Sequence, residues 1–148
     1  MDEPLSVERL HARDGLCRHL GIDYVDGGVG HAVVELKIGA QHLNFLGGGH
    51  GGVIFALADS AFGLACNAGN NLSVAIDAHI TFIKGVKPGD VLRAEARLVS
   101  NSSKTAVYRA EVTRADDGGV TVLGTFTGTV FVTGKSVREI MDGGAKGA

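Results

Sequence analysis

The sequence predicts an α+β domain in which an antiparallel sheet covers one long apolar helix, and three observations carry that prediction. Val53–Ala68 is an apolar segment with only Asp59, Ser60 and Asn67 polar, long enough for about four helical turns. Two runs with apolar residues at every second position precede it and four follow, which is the period of half-buried strands. Short stretches rich in Gly, Asn and Asp separate these runs, as hairpins require. Two strands, one helix and four strands suit one sheet face laid on one helix. The helix is apolar on every side, however, which marks an enclosed helix. One sheet cannot enclose it, so a second copy of the chain is expected to cover the rest. The segment is also shorter than the roughly 20 residues of a membrane span.

Taken in order, residues 1–19 read as a helical extension. Leu5, Val7, Leu10 and Leu16 mark its apolar side, with Ser6 as N-cap and a break near Gly15. Gly21–Asp26 reads as a short strand closed by a Gly27-Gly28 turn. His31–Ile38 alternates Ala32, Val34, Leu36 and Ile38 against Val33, Glu35 and Lys37. The glycine-rich Gly47–Gly52 leads into the helix, and NAGNN at 67–71 stops it. Val74–Ile83 places Val74, Ile76, Ala78, Ile80 and Phe82 on one face and Asp77, His79 and Thr81 on the other. Pro88-Gly89 suits a type II turn. Val91–Val99 and Thr105–Thr113 alternate likewise, and DDGG at 116–119 signals a hairpin. Val120–Val132 turns its threonines at 121, 125, 127 and 129 toward the more exposed face. Residues 135–148 form a polar tail with room for one or two helical turns.

The 148 residues are read as one domain, large enough for a core without staples. A net charge of −2, a pI near 6.3 and scattered basic residues leave no footprint for nucleic acid. Glycine, at 23 residues, is concentrated at turns and shows no repeat period, which excludes collagen and disorder. Cys17 and Cys66 have no metal-ligand spacing, and Cys66 reads as an inert packing residue rather than half of a disulfide. His11, His19, His31 and His42 show no ligand spacing either, so no metal is expected. The charged, amphipathic start lacks the apolar run of a signal peptide. The expected location is the cytoplasm.

Asp59 is the residue that composition least explains. An unpaired buried charge costs several kcal/mol after relaxation, so this carboxylate is expected to be paired, protonated or in use. Gly51 sits at the helix start, where free N–H groups and the positive end of the dipole favour an anion. Glycine there also lets a substrate approach the backbone closely. Eight residues separate the two, about 12 Å of helix. One helix cannot bring both groups to one carbonyl carbon, whereas two antiparallel helices from paired chains can.

The pattern N-x-x-G-x-x-H-G-G, carried by Asn44, Gly47, His50, Gly51 and Gly52 and followed by Asp59 and Ser60, resembles the hotdog-fold thioesterases, and within them the PaaI type. FALADSAFGLACNAGN at 55–70 and HITFIKGVKPGD at 79–90 are similar to that type too, so the resemblance spans about Leu20–Thr133. It implies a long helix wrapped by a curved antiparallel sheet, in chains that pair and then form homotetramers. The implied activity is hydrolysis of acyl-CoA thioesters without metal or cofactor. By the same resemblance Asp59 is the acid/base or nucleophilic carboxylate and the Gly51 N–H the oxyanion donor. Asn44 would hold substrate or water, Ser60 would support, and His50 and Gly52 would border the substrate. Phenylacetyl- or hydroxyphenylacetyl-CoA is the substrate it puts first.

Plainer roles stand beside these. Asn44 can close an Asx-turn, His50 can fix the helix start, and Ser60 can bond its own helix carbonyl. Phe45, Phe55, Phe62 and Phe82 serve either an aromatic acyl pocket or the core. Lys84, Lys87 and Lys104 lie in turns, where they meet CoA phosphates or only solvent. Asp77 and His79 either pair or simply alternate. Two other functions share the fold: an acyl-CoA-binding protein without catalysis, and a hydratase/dehydratase, whose catalytic His this helix lacks.

Overall fold

The computed structural model describes residues 4–146, so the outermost residues of the N-terminal extension and of the polar tail, 1–3 and 147–148, lie outside it. Six strands form one antiparallel sheet: β1 Asp23–Gly28, β2 His31–Lys37, β3 Asn71–Phe82, β4 Val91–Asn101, β5 Thr105–Asp116 and β6 Gly119–Ser136. Their order across the sheet is β1-β2-β4-β5-β6-β3. Four helices accompany them: α1 Val7–Ala12, α2 Gly15–Leu20, α3 Gly51–Asn67 and α4 Val137–Lys146. The long helix α3 lies across β2, β4, β3 and β5, as the expected α+β arrangement requires.

The buried side of α3, with Leu57, Ala58, Ala61, Phe62 and Ala65, packs on the inward residues of the sheet. Phe62 meets Phe126 and Tyr108 at ring-centroid distances of 5.4 and 5.7 Å, and Phe55 meets Phe126 at 5.6 Å. Aromatic clusters of this kind favour tilted or edge-on contact. Phe55 and Phe62 thus belong to the core, not to an acyl pocket. On β6, Gly124, Phe126, Gly128 and Val130 are buried while Thr125, Thr127 and Thr129 alternate outward, as their period predicts. Gly128 is glycine because Phe62 lies against it: a Cβ there would stand 2.6 Å from Phe62 Cζ. Gly128→Ala is therefore expected to lower unfolding stability by about 1–3 kcal/mol through overpacking, which denaturant titration would read.

Several local expectations hold. Ser6 Oγ caps α1 by accepting from the Arg9 N–H at 3.2 Å. The Pro88-Gly89 turn closes with Asp90 N donating to Lys87 O at 3.1 Å, and Gly89 supplies the φ of +90° that a type II turn needs. Asp117 and Gly118 form the tip between β5 and β6.

Three details differ. The Gly27-Gly28 pair lies inside β1 rather than in the turn that follows it. Gly27 is needed there because a Cβ would stand 2.9 Å from Val7 Cγ2 beneath α1. On β3, a bulge between Ala75 and Asp77 breaks the simple alternation. Ala78, Ile80 and Phe82 pair with the inward Gly128, Phe126 and Gly124, but Val74 pairs with the outward Phe131. Val74 and Ile76 are accordingly 51% and 62% exposed instead of lying on the covered face. In the tail, Lys135 and Ser136 complete β6, and α4 runs for ten residues, longer than expected.

The off-sheet face of α3 carries Ala56, Asp59, Ser60, Gly63 and Asn67, all half-buried. Part of its cover comes from the chain itself. α1 packs on α3, Cys17 of α2 is fully buried, and the Leu5 carbonyl accepts from Gly69 N at 2.8 Å.

Candidate active site

The loop before α3 is built from its own backbone. Asn44 Oδ1 accepts from Leu46 N at 2.8 Å and Gly48 N at 3.3 Å, closing the Asx-turn. Gly49 N donates to Val86 O, and His50 N donates to the carbonyl of His42. His42 is buried and accepts from Gly39 N at Nδ1, so its Nε2–H donates to Leu20 O at 2.7 Å. His50 is the N-cap of α3, its Nδ1 accepting from Gly52 N at 2.8 Å. Among the described residues the Gly51 N–H finds no acceptor, and neither does Asn44 Nδ2. Gly51 opens onto a cavity of about 290 Å³ lined by Ile54, Phe82, Ile83, Lys84 and Val86. The helix dipole, the free N–H and the shape of that cavity suit an oxygen carrying negative charge.

Asp59 faces another space, a groove of about 510 Å³ between the N-terminal arm, α3, the start of β3 and α4. Among the described residues its carboxylate has no hydrogen-bond or ion-pair partner. Burial, and secondarily the Asp14 carboxylate, push the Asp59 carboxyl above its ordinary value. Arg13 lines the same groove. Ser60 lies beside Asp59, and its hydroxyl is near enough to the Cys17 thiol to offset a little of the upward push of burial there. The thiols of Cys17 and Cys66, both free, are pushed by burial to about 11 and about 12, so they stay protonated and inert.

One chain thus brings Asn44, His50, Gly51 and Gly52 together at the start of α3, with Asp59 and Ser60 two turns further along in a separate space. Lys84 borders the Gly51 cavity and also a cleft of about 810 Å³. That cleft holds no free carboxylate chemistry: Arg114 is bound by Asp90 at 2.9 Å and Asp116 at 3.0 Å, and Arg93 by Glu35 at 2.8 Å. Lys104 is exposed in the β4–β5 hairpin, where its carbonyl accepts from Val132 N, at the sheet end away from Lys84. Phe45 is 95% exposed and forms no wall within its own chain, while Phe82 does flank Gly51. His79 touches Thr81 rather than Asp77.

Two residues assigned no role at the site from sequence, Asn67 and Asp14, also shape it. Asn67 donates to Ser73 O and accepts from Ser73 N at 2.8 Å, stitching the end of α3 to β3. Asp14 caps α2 by accepting from Cys17 N at 2.9 Å, which places its carboxylate at the Asp59 groove. Its position just before GLCRHL was the available signal for that cap.

The sequence profile of the Thioesterase superfamily matches residues 46–121, a span that contains both Gly51 and Asp59. The chain belongs to that superfamily. The acyl-coenzyme A thioesterase PaaI of Escherichia coli is 36% identical over 107 residues, covering 72% of this chain and 76% of that protein. The structure of E. coli PaaI, a protein of the phenylacetic acid degradation operon, has a TM-score of 0.79 at 32% identity, covering 86% of this chain and 90% of its own. The smu.793 protein of Streptococcus mutans, solved bound to acetyl CoA, has a TM-score of 0.70 at 32% identity and covers 77% of this chain and 90% of its own. This thioesterase accordingly has the hotdog fold and is of the PaaI type. As an enzyme it is a thioester hydrolase. No helix among the described residues is long and apolar enough to cross a membrane.

Proposed function

We propose that this protein hydrolyses acyl-CoA thioesters, with phenylacetyl- or hydroxyphenylacetyl-CoA as substrate, at sites shared between two copies of the chain. The observation that supports this reading is the placement of the two half-sites along one exposed edge. Strand β3 ends the sheet. Its Phe82 flanks Gly51, while its Leu72 and Ser73 border the Asp59 groove. Long apolar edges are not left bare in stable monomers, and β3 exposes Val74, Ile76 and Phe82, with Ile83 exposed just past its end. A second β3 running antiparallel, with the two-fold near Asp77 and Ala78, sets Phe82 of one copy opposite Ser73 of the other. Gly51 of each copy then faces the Asp59 groove of its partner.

In such a pair the ionised Asp59 either takes a proton from the attacking water or attacks the thioester carbonyl itself to give a mixed anhydride. The carbonyl oxygen gathers negative charge and accepts from the Gly51 N–H. The bond to sulfur then breaks and the CoA thiolate departs, leaving the free acid on the first route and, on the second, an anhydride that water opens to release the acid and restore Asp59. Asn44 Nδ2 can hold the thioester or the water, His50 and Gly52 keep the helix start in place, and Ser60 steadies the groove through Cys17. Lys84 of one copy and Lys104 of the other would flank the phosphates of the same CoA. Tetramers built from these pairs and a cytoplasmic location complete the reading.

Release of free thiol from a panel of acyl-CoAs tests it. Turnover fastest on arylacetyl-CoA is expected, and binding without turnover across aromatic and aliphatic members would leave only an acyl-CoA-binding protein. Ile76→Lys, at the exposed bulge of β3, is expected to leave a folded monomer by sedimentation whose kcat/KM is lower by about 100-fold or more. An active monomer would sink the shared site.

A further inference from the structure

We propose that the groove beside Asp59 is the acyl-binding site, and that the N-terminal arm and α4 are its specificity-determining walls for apolar acyl groups. This rests on the thioester-hydrolase assignment, since the carbonyl must sit at Asp59 for the acyl chain to enter the groove.

The groove is amphiphilic in a way that suits one ligand class. Asp59 and Ser60 lie on its α3 side, and the remaining walls carry Leu10 and Leu16 from the arm, Leu72 from β3, and Val137 and Met141 from α4. These side chains are aliphatic or thioether, flexible enough to follow either a linear chain or a ring. Leu16 is 53% exposed, an apolar side chain held at the rim of a cavity rather than in the core. Arg13 and Asp14, adjacent in sequence, place opposite charges on the same arm.

Both walls are fixed to the site by specific bonds. Asp14 caps α2, and fully buried Cys17 anchors that helix beneath Ser60. Asn70 Oδ1 accepts from Arg138 N at 2.9 Å and from Ser136 Oγ at 3.0 Å, tying the start of α4 to the turn after α3. The superfamily profile, matching residues 46–121, takes in Asp59 and Gly51 and leaves both walls outside it. The reacting groups thus come from the matched span, and apart from Leu72 the apolar walls come from the two ends of the chain. Each methylene buried in such a groove raises kcat/KM by about fourfold while the wall still reaches it. The preferred substrates are therefore medium-chain or arylacetyl thioesters, with acetyl-CoA poor because it reaches neither wall.

The chain has no tryptophan, so Leu16→Trp makes the groove its own reporter. Adding the non-hydrolysable S-octyl-CoA thioether is expected to shift the indole emission to the blue, and CoA alone is not. In kinetics, Leu16→Asp and Met141→Asp are expected to lower kcat/KM for octanoyl-CoA and phenylacetyl-CoA by about tenfold or more, and for acetyl-CoA by less than about twofold. An equal fall on all three substrates, no fall, or an indole blind to S-octyl-CoA would overturn the proposal. Saturable S-octyl-CoA binding by a protein that cleaves no thioester would instead remove the hydrolase assignment and leave the groove standing.

Discussion

Asp59→Asn is expected to leave a folded protein that binds CoA with near-parental affinity and has a kcat lower by a factor of about 10³ or more. The amide keeps the size of the carboxylate, so the groove is unchanged, but it can neither accept a proton from water nor attack a carbonyl. The same variant has a second signature of opposite sign. Burial and Asp14 raise the Asp59 carboxyl above its ordinary 3.8. The folded chain therefore holds this proton over a pH range in which the unfolded chain has released it. The stability contributed by neutral Asp59 is complete below 3.8 and is lost as pH rises through the higher folded value. Above that value the charged group weighs against folding. Asp59→Asn should then melt about a degree or two above the parent at pH 7, and the difference should vanish near pH 3. In the parent, the acid limb of kcat/KM should lie above 3.8. Thermal melts and kcat/KM measured across pH check both. A parent more stable than the variant at pH 7 would mean that Asp59 has a cation partner after all.

Gly51→Pro removes the other half of the chemistry with little cost to the fold. Proline lacks an N–H, and Gly51 is the first residue of α3, the helix position that tolerates proline best. His50 before it already sits at φ −65°, ψ 131°, the extended region that a residue preceding proline favours. An added Cβ would stand 3.3 Å from Phe82 Cζ, the far end of a side chain that can yield. Loss of one oxyanion donor is expected to lower kcat by a factor of about 10²–10³. A circular dichroism spectrum matching the parent, together with single-turnover kinetics, checks it; undiminished turnover would exclude the Gly51 N–H as donor.

What could be read from the sequence was local. The α3 segment, the Pro88-Gly89 turn and the outward threonines of β6 announce themselves through composition and period. The separation of Gly51 from Asp59 along α3 followed from helix rise alone, because eight residues of helix fix it whatever surrounds them. The bulge at Ile76 was not legible, since one extra residue in a strand changes the phase without changing the composition. Gly27 read as a turn because its real constraint, the approach of Val7 from α1, comes from a residue twenty positions earlier. The 95% exposure of Phe45 was not legible, because an aromatic residue in a loop carries no mark of which way it points. The acyl groove was hidden for a similar reason: Leu10, Leu16, Val137 and Met141 meet Asp59 only after both chain ends have folded over α3.

Mixed dimers give the most direct measurement of the shared site. Asp59→Asn and Gly51→Pro chains, each nearly inactive alone, are unfolded together, refolded at equal concentration, and assayed once hybrids are shown to form. Each hybrid would hold one intact site, Asp59 from the Gly51→Pro chain facing Gly51 from the Asp59→Asn chain. With random pairing the mixture should recover about a quarter of parental turnover. Activity no greater than the sum of the two separate variants, with hybrids present, would contradict the account.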